Sequence, residues 1–356
     1  MPLHLTRRHA LTALGAAGLG GLAAACGTGA DGDAAAAEDA AAPDASRVPA
    51  GEGATTYPLE LVSPFGTTTL EERPSRIAVV SGIQDLEAVL ALGAFPVITD
   101  EILTPWQREA MEGHEVEEYD IWADAGLPLE QLLAAAPDLI VATTYGSLDQ
   151  DFERLAQIAP VLTMESYEDQ ESWEYDWRDV IRRVGLALDL AQTAERVVEE
   201  TEQLAVDTAA AHPEWQGTTL SFVLNRGEQA GISVSNYTGS VVEEVATSWG
   251  FAPQPQADAL AAAQGDVSLE NLDMIEADLV VIAQHGGHGT PEEAQAWLEA
   301  NQLYQSLPAV QEGRVAIIEP DEDGTLPIAW GFDYPNALST PWTVAKFSEA
   351  VAPVLG

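Results

Sequence analysis

His285 and His288, three residues apart around a glycine pair, are the first place in this sequence to look for metal chemistry. Zinc takes three or four protein ligands from Cys, His and carboxylates. The only cysteine is Cys26, and His114 and His212 lie far off along the chain. The pair is therefore read as a loop that hydrogen-bonds a ligand or closes a strand end, with no direct metal ligand expected. Paired acids such as Glu71-Glu72, Glu199-Glu200, Glu243-Glu244 and the run Asp321-Glu322-Asp323 have the chemistry for general acid–base work. With 58 acidic residues in 356, they are more simply solvated faces. No nucleophile elbow, P-loop or Ser/His/Asp ordering is present, so the expectation is a protein that is not an enzyme and carries no cofactor.

Binding chemistry is better represented. Flat, hydrogen-bonding side chains recur near the ends of apolar runs: Trp106 with Arg108, Trp122, Tyr145, Arg226, Tyr237, His285, and Trp330 with Phe332 and Tyr334. Such residues give contact area at low entropic cost and orient a ligand through hydroxyl, indole and guanidinium groups. Each has the alternative of packing against its own lobe.

The elements that must position them repeat. Leu129-Glu130-Gln131-Leu132, then five residues, then Asp138-Leu139-Ile140-Val141, is matched 140 residues later by Leu269-Glu270-Asn271-Leu272 and Asp278-Leu279-Val280-Val281. Each copy reads as a short helix feeding a strand of a parallel sheet buried on both faces. Asp85–Gly93 and Val242–Gly250 pair more weakly, as helices ended by glycine after the strands Ile77–Val80 and Thr219–Leu224. Two α/β lobes of Rossmann-like build follow, over 57–175 and 213–356, with ligands expected in the cleft beyond the carboxyl ends of their strands. Between them, apolar residues at helical spacing from Trp177 to Leu204 predict one connecting helix over 176–212, about 50 Å long.

Residues 1–26 stand apart from the fold. Arg7-Arg8 precedes an apolar run too short for a membrane span, which reads as a Tat-type signal peptide. Leu22-Ala-Ala-Ala-Cys26 resembles a lipobox, making Cys26 a lipidation site on the outer face of a membrane. Residues 27–56 read as a disordered acidic tether. The net charge is −44, with a single lysine, Lys346. That excludes nucleic acid as a partner, because phosphate contacts need clustered cations.

These features together resemble the iron-siderophore and vitamin B12 class of substrate-binding proteins of ABC importers. The resemblance is carried by Tyr57-Pro-Leu-Glu-Leu, Arg73-Pro-Ser-Arg-Ile77, Leu127-Pro-Leu-Glu130, Pro137-Asp-Leu-Ile-Val141, Asp176-Trp and Asn336-Ala-Leu-Ser-Thr-Pro-Trp342. It implies a monomeric, membrane-anchored receptor that hands a ferric siderophore to an ABC permease, with iron held by the siderophore. Cobalamin, heme or another metal chelate are alternative cargoes, and a secreted α/β enzyme is the remote one. The resemblance also implies that Glu130 and Glu270 dock on the permease. The scarcity of cations points to a neutral or cationic hydroxamate chelate, since burying a tri-anionic catecholate needs paired positive charge.

Overall fold

The computed structural model describes residues 47–81, 83–101, 104–119, 126–166, 176–285, 287, 289–321 and 325–355. Cys26, Trp122 and His288 lie outside the described residues, as does the signal and most of the tether. The described residues belong to one compact unit.

The first lobe opens with a hairpin, β1 (Leu59–Ser63) and β2 (Gly66–Leu70). There follow β3 (Ile77–Val79), α1 (Gln84–Ala91), β4 (Ile98–Asp100), α2 (Pro105–Ala110), β5 (Glu117–Tyr119), α3 (Leu129–Ala134), β6 (Leu139–Val141), α4 (Leu148–Leu155) and β7 (Val161–Leu162). The sheet order is β5-β4-β3-β6-β7, parallel throughout. Both faces of the central strands are covered, which is why β3 and β6 are continuously apolar, while the edge strand β5 exposes Glu117 and Glu118. Ile77, Val79, Leu139 and Val141 enter one core, and Ala78, Val80, Ile140 and Ala142 the other.

The connecting segment departs from the expected single helix. It is a hairpin of α5 (Trp177–Ala187) and α6 (Ala191–Ala211). Asp189 turns the chain with a left-handed φ of 53°, and the Leu190 N–H bonds back to the Gly185 carbonyl at 2.7 Å, a helix-ending motif. The two helices run antiparallel, with Arg178 on Glu202 and Arg182 on Glu195. Gly185 is the contact point: a Cβ there would meet the Ala194 Cβ at 2.6 Å. Only α6 crosses between the lobes, and its 21 residues reach about 32 Å.

The tether expectation also needs its end moved. Residues 47–56 pack on the first lobe. Arg47 donates to the carbonyls of Pro96 and Glu115, and Val48 is buried. Glu52 caps α6 at Gln192 and Thr193, while Asp189 accepts the amides of Gly53, Ala54 and Thr55. The strap's acid thus satisfies the open amides of the helix, and the turn's acid satisfies the strap.

The second lobe contains β8 (Leu220–Asn225), α7 (Gly227–Ala230), β9 (Ile232–Val234), α8 (Val241–Ser248), α9 (Ala257–Ala262) and β10 (Asp266–Val267). It continues with β11 (Leu279–Gln284), α10 (Pro291–Glu299), α11 (Gln302–Ser306), α12 (Pro308–Gln311), β12 (Val315–Ile318), α13 (Pro327–Asp333) and α14 (Ser339–Leu355). Its order, β10-β9-β8-β11-β12, repeats that of the first lobe. Two differences stand against the expected repeat. The strand β9 runs antiparallel to β8, so α8 follows the second strand of its lobe where α1 follows the first. The Leu269–Ile275 copy of the helix motif is a 3-10 segment, not an α-helix. The repeated aspartates have a shared job. Asp138 accepts from the amides of Ser75 and Arg76, and Asp278 from the amide and hydroxyl of Thr219, each fixing the start of the neighbouring strand.

Candidate functional site: the facing strand ends

In each lobe the carboxyl ends of the two central strands are tied together by buried polar groups. In the first lobe, the Ser81 and Thr144 hydroxyls lie 2.9 Å apart. Asp85, on the first turn of α1, accepts from the Thr143 hydroxyl and from the Thr144 amide. Its carboxyl is fully buried and pushed up to about 6 by desolvation, against the pull of those hydrogen bonds. In the second lobe, the Asn225 amide donates to Gln284 at 2.9 Å and to the Ala294 carbonyl at 3.0 Å. That these strand-end residues pair with one another is not legible in the sequence, because single polar residues at strand ends have no spacing signature.

Beside the second tie stand Arg226 and His285. The His285 amide donates to the Asn225 carbonyl, and its Nδ1 accepts from the Gly287 amide at 3.3 Å. The neutral ring then carries its proton on Nε2, an available donor. Partial burial, and then the Arg226 charge, hold this histidine below its usual range. Arg226 is half-buried and has no ion-pair partner among the described residues. Gly287 permits this closeness: a Cβ on it would meet the Arg226 carbonyl oxygen at 2.1 Å. The corner thus offers a guanidinium and an imidazole N–H, donors suited to carbonyl, hydroxamate or carboxylate oxygens.

The other expected residues divide. Arg108 is exposed on α2. Trp330, in α13, and Tyr334, the residue that ends it, are half-exposed, while Phe332 faces the other way. Phe332 is fully buried against Phe222, Trp249 and Phe347, so it is core and not a ligand contact. Tyr145 packs on its own lobe, and its hydroxyl donates to Asp151 at 2.9 Å; burial and that carboxylate push it up to about 12. Trp106 is 4% exposed, its indole N–H donating to Glu87 at 2.7 Å. It offers no open face to a ligand. Tyr237 lies at the wrong end of the sheet. Because β9 runs back along β8, the chain after it is held beside the start of β8, where Asn236 bonds the backbone of Phe222 and Leu220.

The segment from Asn336 to Trp342, given no role by its spacing, joins the lobes. Ala337 and Leu338 pack against the core of the first lobe, and the Trp342 ring lies 5.1 Å from Trp106. A cavity of about 640 Å³ lies elsewhere, between the α5–α6 hairpin, α8 and the stretch after α13. The aromatic and cationic candidates do not line it, although Gln84 at the head of α1 and Asp333 beside Phe332 do, and its Arg178 is already bonded to Asp176 and Glu202. Strand-end geometry, not cavity volume, therefore marks the candidate site. Glu130 and Glu270 are both exposed, without an ion-pair partner among the described residues. No three His, Cys, Asp or Glu side chains converge to hold a metal, and no helix is long and apolar enough to cross a membrane, among the described residues.

Known proteins share this body. The chain is 25% identical over 280 residues to the ferric enterobactin-binding periplasmic protein FepB of Escherichia coli, covering 74% of this chain and 84% of the relative. Among solved structures it is similar to a periplasmic solute binding protein from Mycobacterium smegmatis, with TM-score 0.67 and 19% identity over 84% of this chain and 99% of that one. It is also similar to PiaA of Streptococcus pneumoniae in complex with ferrichrome, with TM-score 0.63 and 22% identity over 83% and 98%. The periplasmic binding protein family model matches residues 78–322, more than half of the chain, and the chain belongs to that family.

Proposed function

We propose that this protein captures a ferric siderophore outside the cytoplasm, between its lobes, and delivers it to an ABC permease. The observation that carries the reading is the extended match to relatives: one is named for ferric enterobactin, and another holds ferrichrome in the same two-lobe body. Iron is cargo here, held by the siderophore. The protein acts by binding and not by catalysis. It is anchored through a lipid on Cys26 and works as a monomer. Glu130 and Glu270, exposed at matching places in the two lobes, serve as docking charges for permease cations.

The cargo is of hydroxamate type. The cleft candidates supply two guanidinium groups, Arg108 and Arg226, against a net charge of −44. Partial burial and the Arg226 charge favour the neutral form of His285. A tri-anionic catecholate would leave desolvated charge unpaired, whereas a neutral hydroxamate needs only donors such as those of the Arg226–His285 corner. The relative named for ferric enterobactin favours the opposite cargo, so the two are to be compared directly. Quenching of the nine tryptophans by ferrioxamine-type, enterobactin-type, heme and cobalamin ligands decides between them. The ferric hydroxamate is expected to bind tightest. Tighter binding of the catecholate overturns the hydroxamate reading, and exclusive binding of heme or cobalamin overturns ferric cargo. Cys26→Ser is expected to release the protein from the membrane fraction; full retention would refute the anchor.

A further inference from the structure

The helix α1 carries two buried acids, and they face different parts of the molecule. Asp85 holds the strand-end loop at Thr143 and Thr144. Glu87 sits where the lobes meet. It is 0% exposed, and its Oε1 accepts the Trp106 indole N–H at 2.7 Å. Across from α2, the hydroxyl and amide of Ser339 approach the carboxyl from the first residue of α14. Neither is aligned to bond Oε2, which has no hydrogen-bond partner among the described residues. The Ser339 hydroxyl instead donates to the carbonyls of Tyr334 and Asn336, leaving its lone pairs open to a donor. A protonated Oε2 is such a donor; a carboxylate is not.

Among the described residues, no cation compensates a charge here. On α1 itself Asp85 is turned to the Thr143 loop. On α2, Arg108 is exposed. On α14, Lys346 lies over the Trp342 ring, 5.8 Å from its centroid. On α5, Arg178 and Arg182 bond the acids of the hairpin, and Arg183 bonds the carbonyls of Thr163 and Val62. On α6, Arg196 pairs with Glu200. Desolvation without a counter-charge favours the neutral acid. Burial pushes Glu87 up to about 8, despite the Trp106 indole N–H that favours the carboxylate.

We propose that Glu87 is a positioning residue for cargo capture: as an uncharged acid it seals the joint of α1, α2 and α14, and on ionising it loosens that joint and the cleft with it. The inference rests on the reading of the protein as a cleft-binding receptor. Lobe orientation is transmitted through α1, whose first turn fixes the Thr143–Thr144 loop and whose next residues fix the joint.

The test uses the mature chain labelled with 15N-tryptophan, the Trp106 indole signal being identified by its loss in Trp106→Phe. From pH 6 to 9.5 that signal is expected to move in one step with its midpoint near 8 in the wild type, and not in Glu87→Gln. Ser339→Ala keeps the acid but removes the hydroxyl whose lone pairs face the protonated form, so its midpoint is expected to fall. Affinity for the ferric hydroxamate is expected to fall about threefold or more between pH 6.5 and 9 in the wild type, and to stay level in Glu87→Gln. A flat wild-type signal, the same step in Glu87→Gln, or a step without any change in affinity overturns the proposal. If no chelate binds at either pH, the receptor reading fails and the role in capture with it, while the indole titration still reports the joint.

Discussion

The two lobes share one strand order and differ in one strand direction. In the first lobe, β3 returns to a parallel β4 through α1. In the second, only residues 226–231 separate β8 from β9. A parallel return needs a crossover of about a dozen residues or more, so this short connection forces an antiparallel pair. The consequence reaches the site. The first lobe presents loops from strand ends, tied by hydroxyls and the Asp85 carboxyl. The second presents a tight turn at Arg226, tied by the Asn225–Gln284 amide pair and overlain by Gly287. The same strand order therefore offers a hydroxyl-rich edge in one lobe and a cationic donor corner in the other. A chelate bridging them would meet different chemistry at its two faces.

Changing each lobe separately sharpens this contrast. The largest effect is expected outside the cleft. Replacing Glu130 and Glu270 together by Ala should lower uptake by more than about tenfold and leave affinity within about twofold, since exposed charges guide docking more than they hold cargo. Uptake assays and tryptophan quenching measure the two quantities, and a matching loss of affinity would refute the docking role. Next, Arg226→Ala should weaken chelate binding by about tenfold, the value of one charge-assisted hydrogen bond. Tyr237→Ala, at the other end of the same sheet, should leave it unchanged. Equal effects from the two would mean that the strand-direction argument is wrong.

The smallest effect compares the two aspartates. Asp138 accepts from two amides and a hydroxyl, Asp278 from one of each. At pH 7, Asp138→Ala is expected to cost about 1–2 kcal/mol and Asp278→Ala about 1 kcal/mol, both limited by exposure. The Thr219 amide and then its hydroxyl hold Asp278 below the usual carboxylate range. Its contribution is therefore complete above the unfolded value and is lost as pH falls through the lowered one. Urea melts at neutral and acid pH should show the Asp278→Ala deficit shrinking in acid; a constant deficit would mean the hydrogen bonds do not favour the ionised form.

Much of the fold was legible in the residues. Continuous apolar strands such as Ile77–Val79 and Leu279–Gln284 announce two-sided burial, and the 140-residue repeat announces two lobes, because both are local patterns. The site was legible only in part. Arg226 and His285 meet as neighbours at adjacent strand ends, but Trp106, Phe332 and Tyr237 were indistinguishable in type from residues that face a ligand. An aromatic residue near a strand end carries no mark of the direction in which it points.

The sequence by itself determined the lobes, the strands, the acidity and the apolar stripe from Trp177 to Leu204. Tertiary structure decided that this stripe folds back on itself. A straight helix and an antiparallel hairpin show the same helical periodicity, since each buries one face of every turn. What separates them is the close approach of Gly185 to Ala194 and the capture of Asp189 by the strap at residues 53–55. The same holds for Glu87, an ordinary helical glutamate in the sequence. Its carboxyl is pushed toward the neutral form only because α2 and α14, distant along the chain, close over it and exclude water.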